Sequence, residues 1–223
     1  MRKKYQIISV LNLLLCFVFL TTNTLAQESP IDWNILDASS LEELMPFFET
    51  SNVDQFGIAV TLLSRIESEK VPEMLLDAWD KSQNQQLTDN LALLDNPIIR
   101  IALAASLQRT GAYNGRRAEF ENYIYGQIES SEEQVKSNAI LSISSFRDVR
   151  AARMLSQIAD NQPEFCLDAT RGLCNILMNP ESDEQSADIA KAKLQAISNG
   201  YFSEDANHKE AIKKAASECL DYL

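Results

Sequence analysis

The sequence predicts an all-α fold of stacked antiparallel helix pairs, on three observations. The stretch Ser131 to Asp160, SEEQVKSNAILSISSFRDVRAARMLSQIAD, reads as two amphipathic helices around a tight corner. Val135, Ala139, Ile140 and Ile143 recur at helical spacing, and Ala152, Leu155, Ile158 and Ala159 form a second stripe after the corner Phe146-Arg147-Asp148. The pattern then repeats. An offset of 80 residues places Ala59 under Ala139, Met74-Leu75 under Met154-Leu155 and Asp80 under Asp160, while Ala169 follows Ala139 by thirty. Finally, the chain holds only six glycines and no convincing alternation of apolar and polar residues, so no strand is expected. A helix pair of about thirty residues cannot bury two apolar stripes alone and needs copies of itself on either side.

The first 26 residues stand apart from this pattern. Arg2, Lys3 and Lys4 precede the apolar run Ile7 to Leu20, a polar segment follows, and Thr24-Leu25-Ala26 offers a small-residue cleavage site. That is the layout of a secretory signal peptide. The apolar run spans only ~21 Å as a helix, short of a ~30 Å hydrocarbon core, so no stable membrane insertion is expected after cleavage. Cys16 follows Leu15 rather than a small residue, which argues against a lipid anchor. The expected address is the periplasm or the outside of the cell.

Residues 27–51 read as an irregular lead-in and N-terminal cap, in which Trp33 and Leu36 cover the first helix pair. Ser40 and Glu43 are spaced as a capping box before Leu41, Leu44, Phe47 and Phe48, and Pro46 is expected to kink or shorten that helix. The repeat domain is expected over 52–223. Val53 to Ile66 carries Phe56, Ala59, Val60, Leu62, Leu63 and Ile66, and the next helix starts near Pro72 with Leu75, Leu76 and Trp79. Ser82 to Asn90, rich in Gln and Asn, reads as a loop or short helix. Asn96-Pro97 opens the next pair, Gly111 closes its first helix, and Arg116 to Ile128 supplies the second through Phe120, Tyr123, Ile124 and Ile128. Ser131 and Gln134 form another capping box, as do Ser182 and Gln185. Phe165, Ala169, Leu173, Ile176 and Leu177 share one face, and Ile189, Ala190, Leu194 and Ile197 lead to Gly200. The last helix is expected from Ser203, with Ala211, Ile212, Ala215, Ala216 and Cys219 inward.

Asn96-Pro97-Ile98-Ile99-Arg100 with Ala104-Ala105, Glu133-Gln134-Val135-Lys136 with Ala139, and Asp148-Val149-Arg150 with Ala151-Ala152 resemble one repeat pattern, that of HEAT-like repeats. The short variety named after the phycobilisome lyases is the nearer match, over about residues 52 to 220 and most clearly from 96 to 178. The resemblance implies an α-solenoid, with first helices on the convex face and second helices on the concave one, used as an interaction scaffold. The lyase activity of the namesakes is not implied, because only repeat residues match.

Composition narrows function. The formal net charge is −12, and the leader removes three basic residues and no acidic ones, so the mature chain is more acidic still. Nucleic acid and anionic lipid surfaces are therefore poor partners. His208 is the sole histidine, which leaves no material for a triad or a His-rich metal site. Glu42-Glu43, Glu132-Glu133 and Asp183-Glu184 are paired acids, but all sit in first helical turns, where acids answer the helix dipole. No phosphate-cradling glycine loop occurs. No catalytic residue, metal site or cofactor is expected.

Beyond the leader, Cys166, Cys174 and Cys219 meet an oxidising compartment. Cys166 and Cys174 lie eight apart on one helix, ~12 Å along its axis, too far to bridge. If Ala169 and Ala215 are equivalent on successive first helices, Leu173 matches Cys219, and Cys174 lies one residue from that position. A Cys174–Cys219 disulfide is therefore expected, with Cys166 a buried thiol.

The remaining candidates concern a partner surface. Arg116, Arg117, Arg147, Arg150 and Arg153 are the only basic concentration, and Arg147 and Arg150 also suit ladder pairs with acids such as Asp148 and Asp160. If the second helices line the concave face, Glu73, Asp77 and Asp80 mark an acidic end, and Arg117, Arg150 and Arg153 a basic patch further along. The expected function is an exported, non-enzymatic scaffold that binds another protein. The alternative is an enzyme accessory, lyase-like or cell-wall protein, holding a small ligand in a groove lined by aromatics such as Tyr113, Tyr123 and Tyr125.

Overall fold

The computed structural model describes residues 40–48, 52–66, 68–83 and 93–222. The leader, the lead-in up to residue 39 and most of the stretch expected as a loop, 84–92, lie outside the described residues. Ten α-helices and no strand occur among those described: α1 Ser40–Phe48, α2 Val53–Leu63, α3 Lys70–Gln83, α4 Pro97–Thr110, α5 Arg117–Gln127, α6 Glu133–Ile143, α7 Val149–Asn161, α8 Cys166–Met178, α9 Glu184–Ser198 and α10 Lys209–Asp221. The described residues up to Phe120 form one compact unit and those from Glu121 a second, with the boundary inside α5.

In the first unit, α1 packs on α2, α2 on α4, and α3 on α4. Phe48 stacks on Phe56, with ring centroids 4.9 Å apart. Asn52 caps α2 by accepting hydrogen bonds from the backbone N–H groups of Asp54 and Gln55. Asn96 does the same for α4 through Ile98, with Pro97 in the first turn, where a missing N–H costs nothing. α4 is buried almost all round, from Ile101 to Leu107 without a break, because it meets α2 and α3 at once. Gly111 ends it at φ 65°, a left-handed turn that a side chain would strain.

The second unit repeats the scheme more regularly. α6, α8 and α10 pack in succession, α7 packs on α9, and each of α7 and α9 also packs on the helix that follows it. Val135, Ala139, Ile140 and Ile143 from α6, and Ala152, Leu155, Ile158 and Ala159 from α7, are all buried. Asp148 caps α7 by accepting from Ala151 N–H at 2.8 Å. Gly172 of α8 faces Leu155 of α7: a Cβ placed there would stand 2.9 Å from the leucine Cδ1, so the missing side chain is what lets the two helices meet.

Several local expectations shift. The capping box at Ser131 does not form, because α6 starts one residue late, with Glu132 at the N-cap position and no side-chain cap. At α9, Asp183 takes the cap by accepting from Ser186 N–H, and Ser182 instead donates its hydroxyl to Ile176 C=O, closing the end of α8. Ser40 is itself helical rather than a cap. The last helix begins at Lys209, not Ser203, since His208 turns left-handed at φ 57°, and Ala211 is consequently exposed.

Candidate functional site

The bonds between successive helices sort into two rows. Along the first helices of the pairs, Ser106 of α4 donates to Val60 C=O of α2 at 3.1 Å, Ser137 of α6 donates to Asp168 of α8 at 2.6 Å, and Cys174 of α8 is joined to Cys219 of α10 by a disulfide with Cα atoms 5.9 Å apart. Along the second helices, Asp80 at the end of α3 pairs with Arg116, just before α5, at 2.8 Å, and Asp160 at the end of α7 pairs with Lys193 of α9. Asp80 and Asp160 are the two acids that the 80-residue offset superimposes, and each ties its helix to the next second helix.

The arginines divide into two groups. Arg116 grips Glu119 with two hydrogen bonds of 2.8 Å as well as reaching Asp80, and the Glu119 carboxylate also accepts from the Trp79 indole N–H at 2.7 Å. The Arg116 side chain holds the Glu119 carboxyl below its usual value, with burial opposing and Trp79 assisting. Arg147, left-handed at φ 58°, pairs with Glu181 at the next corner, and its carbonyl accepts from Asp183 N–H and the Ser186 hydroxyl. Of the expected ladder residues, Arg147 pairs with Glu181, and Asp160 pairs with Lys193. These groups hold corners and helices together.

Arg150 and Arg153 are different. Both are exposed, one turn apart on α7, and neither makes an ion pair among the described residues. Arg150 rests over the Tyr125 ring, 4.1 Å from its centroid, and Tyr125 in turn packs on Phe146 at 5.1 Å. Tyr125, anticipated only as a possible groove lining, is thus a platform whose ring is covered by an arginine and a phenylalanine. Nothing in sequence spacing signals that contact, because it joins α5 to α7 across the intervening α6.

The other anticipated partner-surface residues lie on or beside α3 and α5. Glu73 is exposed, Asp77 is exposed and paired with Lys81 at 2.6 Å, Asp80 is engaged by Arg116, and Arg117 is half-buried with its carbonyl accepting from Gln108. Cys166 is fully buried, and burial pushes its thiol up from the ordinary value, which makes it a poor nucleophile. Asp168, between α6 and α8, is also pushed up by burial, opposed by the Ser137 hydroxyl and Arg171. His208 is exposed. Among the described residues no group of His, Cys, Asp and Glu gathers as metal ligands would, and no helix is long and apolar enough to cross a membrane. No known protein-family model matches the sequence, and no curated protein matches it either.

Proposed function

We propose that the chain is a HEAT-like α-solenoid, exported through its N-terminal leader, that serves as a non-enzymatic scaffold binding another protein. The observation that carries the reading is the two-row arrangement within each unit: first helix bonded to first helix, second to second, with Asp80 and Asp160 in the same role 80 residues apart. In such a stack the side chains that face away from neighbouring helices form a continuous outer surface, and this is what repeat proteins offer to partners. Export is supported by the Cys174–Cys219 bridge, since disulfides persist in oxidising compartments and are rare in the cytosol. The basic pair on α7 supplies two exposed arginines, one helical turn apart, that no acid neutralises among the described residues.

Cell fractionation followed by intact-mass and peptide mapping without reductant tests the address. The expected product starts at Gln27, lies outside the cytoplasm, and carries the 174–219 bridge with Cys166 free. A full-length chain in the cytoplasm with four reduced thiols would contradict the reading.

A further inference from the structure

We infer that Arg150 and Arg153, with Tyr125 as platform, bind a short acidic peptide segment of the partner; the inference rests on the scaffold reading and names the chemistry of its binding surface. Arg150 stands in the first turn of α7, two residues after the Asp148 cap. A cation there opposes the helix dipole, so helix stability alone favours an acid at that position. Its guanidinium is nevertheless held in place by Tyr125 at 4.1 Å, with no donor committed to a carboxylate. Arg153 follows at i+3, exposed and without any hydrogen bond or ion pair, in a chain of net charge −12, whereas the other arginines of this unit, Arg147 and Arg171, both reach acids.

Two guanidiniums one helical turn apart match two carboxylates at similar spacing, and arginine forks recognise carboxylates bidentately. A long polyanion fits poorly, because two cations cannot offset the repulsion of an acidic protein with a sequence pI near 4.6. The occupant is therefore a local acidic stretch of a protein, read by a charge pair already fixed on an aromatic ring.

The test is fluorescence anisotropy of the mature chain with a labelled twelve-residue peptide carrying Glu at i and i+4 positions, against the same peptide with Gln. The expected result is binding of the Glu peptide that weakens as salt rises, with the Gln peptide about tenfold weaker or more, and Arg150→Gln and Arg153→Gln each weakening the Glu peptide by about fivefold or more. Arg153→Gln removes no internal contact, so its effect reads binding rather than folding. Equal binding of the two peptides, or of wild type and Arg153→Gln, overturns the inference. So does Arg153-dependent sedimentation with phosphatidylglycerol vesicles in place of peptide binding, which assigns the pair to a membrane. An Arg153-dependent dimer in sedimentation velocity would overturn it in favour of a second copy of the chain. Failure of the peptides while the mature chain still captures a protein would remove the acidic segment but leave the scaffold.

Discussion

Individual side chains divide into those that hold the stack and those that face out, and two carboxylates show the division through pH. Burial is the main cause keeping Asp168 protonated to a higher pH than in the unfolded chain, so its contribution to stability is present below the unfolded value and lost as pH rises through the folded one. Asp168→Asn retains an acceptor for Ser137 and removes the buried charge. Thermal melts should show the variant at least as stable as wild type at pH 7, with the comparison moving in favour of wild type on acidification; a variant that melts lower at pH 7 would refute this. Glu119 has the opposite sign. Arg116 holds its carboxyl down, so its contribution is present at neutral pH and lost as pH falls through the folded value. Glu119→Gln should therefore lower the melting temperature at pH 7, and by less in acid. Gly172 is decided by space rather than charge: Gly172→Val drives a branched side chain into fully buried Leu155 and should cost about 1–3 kcal/mol by denaturant titration.

At the scale of elements, the helices were legible because apolar stripes at helical spacing need no tertiary knowledge, and the stripes of α6 and α7 are buried as read. Caps were legible only to within a residue. Ser131 and Ser182 compete with neighbouring Glu132 and Asp183, and the choice depends on where the preceding corner leaves the chain. The left-handed His208 that delays α10 has no sequence signature, since glycine or asparagine would be the ordinary choice. The register between α8 and α10, in contrast, followed from aligning successive first helices, and the structure joins Cys174 to Cys219. With the cysteines separated by 45 positions in sequence, the chain-entropy contribution of this bridge is about 4 kcal/mol. Replacing both cysteines with Ser should lower stability by a comparable amount, measured by urea unfolding; no change would mean that α10 is held by packing alone. Ala139, fully buried on the α6 face that runs toward α8, gives the matching test of packing. Ala139→Asp should cost about 3–5 kcal/mol, as an unpaired buried charge does, and an unchanged melting temperature would show that the register is wrong.

At the scale of the whole molecule, helices packed against neighbours within each unit carry an outward-facing basic pair, Arg150 and Arg153. The bonds between helices commit Arg116 and Arg147 to neighbouring acids, whereas Arg150 and Arg153 make no ion pair among the described residues. The sequence marked Arg150 and Arg153 as partner-facing but also offered Arg150 as a ladder residue, because pairing across repeats depends on which helix end lies beside which corner. Capture from the exported protein fraction, by the mature chain and by Arg150→Glu/Arg153→Glu, tests the central claim most directly, with circular dichroism melts confirming that both are folded. Wild type is expected to retain a partner protein, and the double variant, with a helical spectrum of the same strength, to lose it. A folded double variant that captures the same protein would contradict that claim.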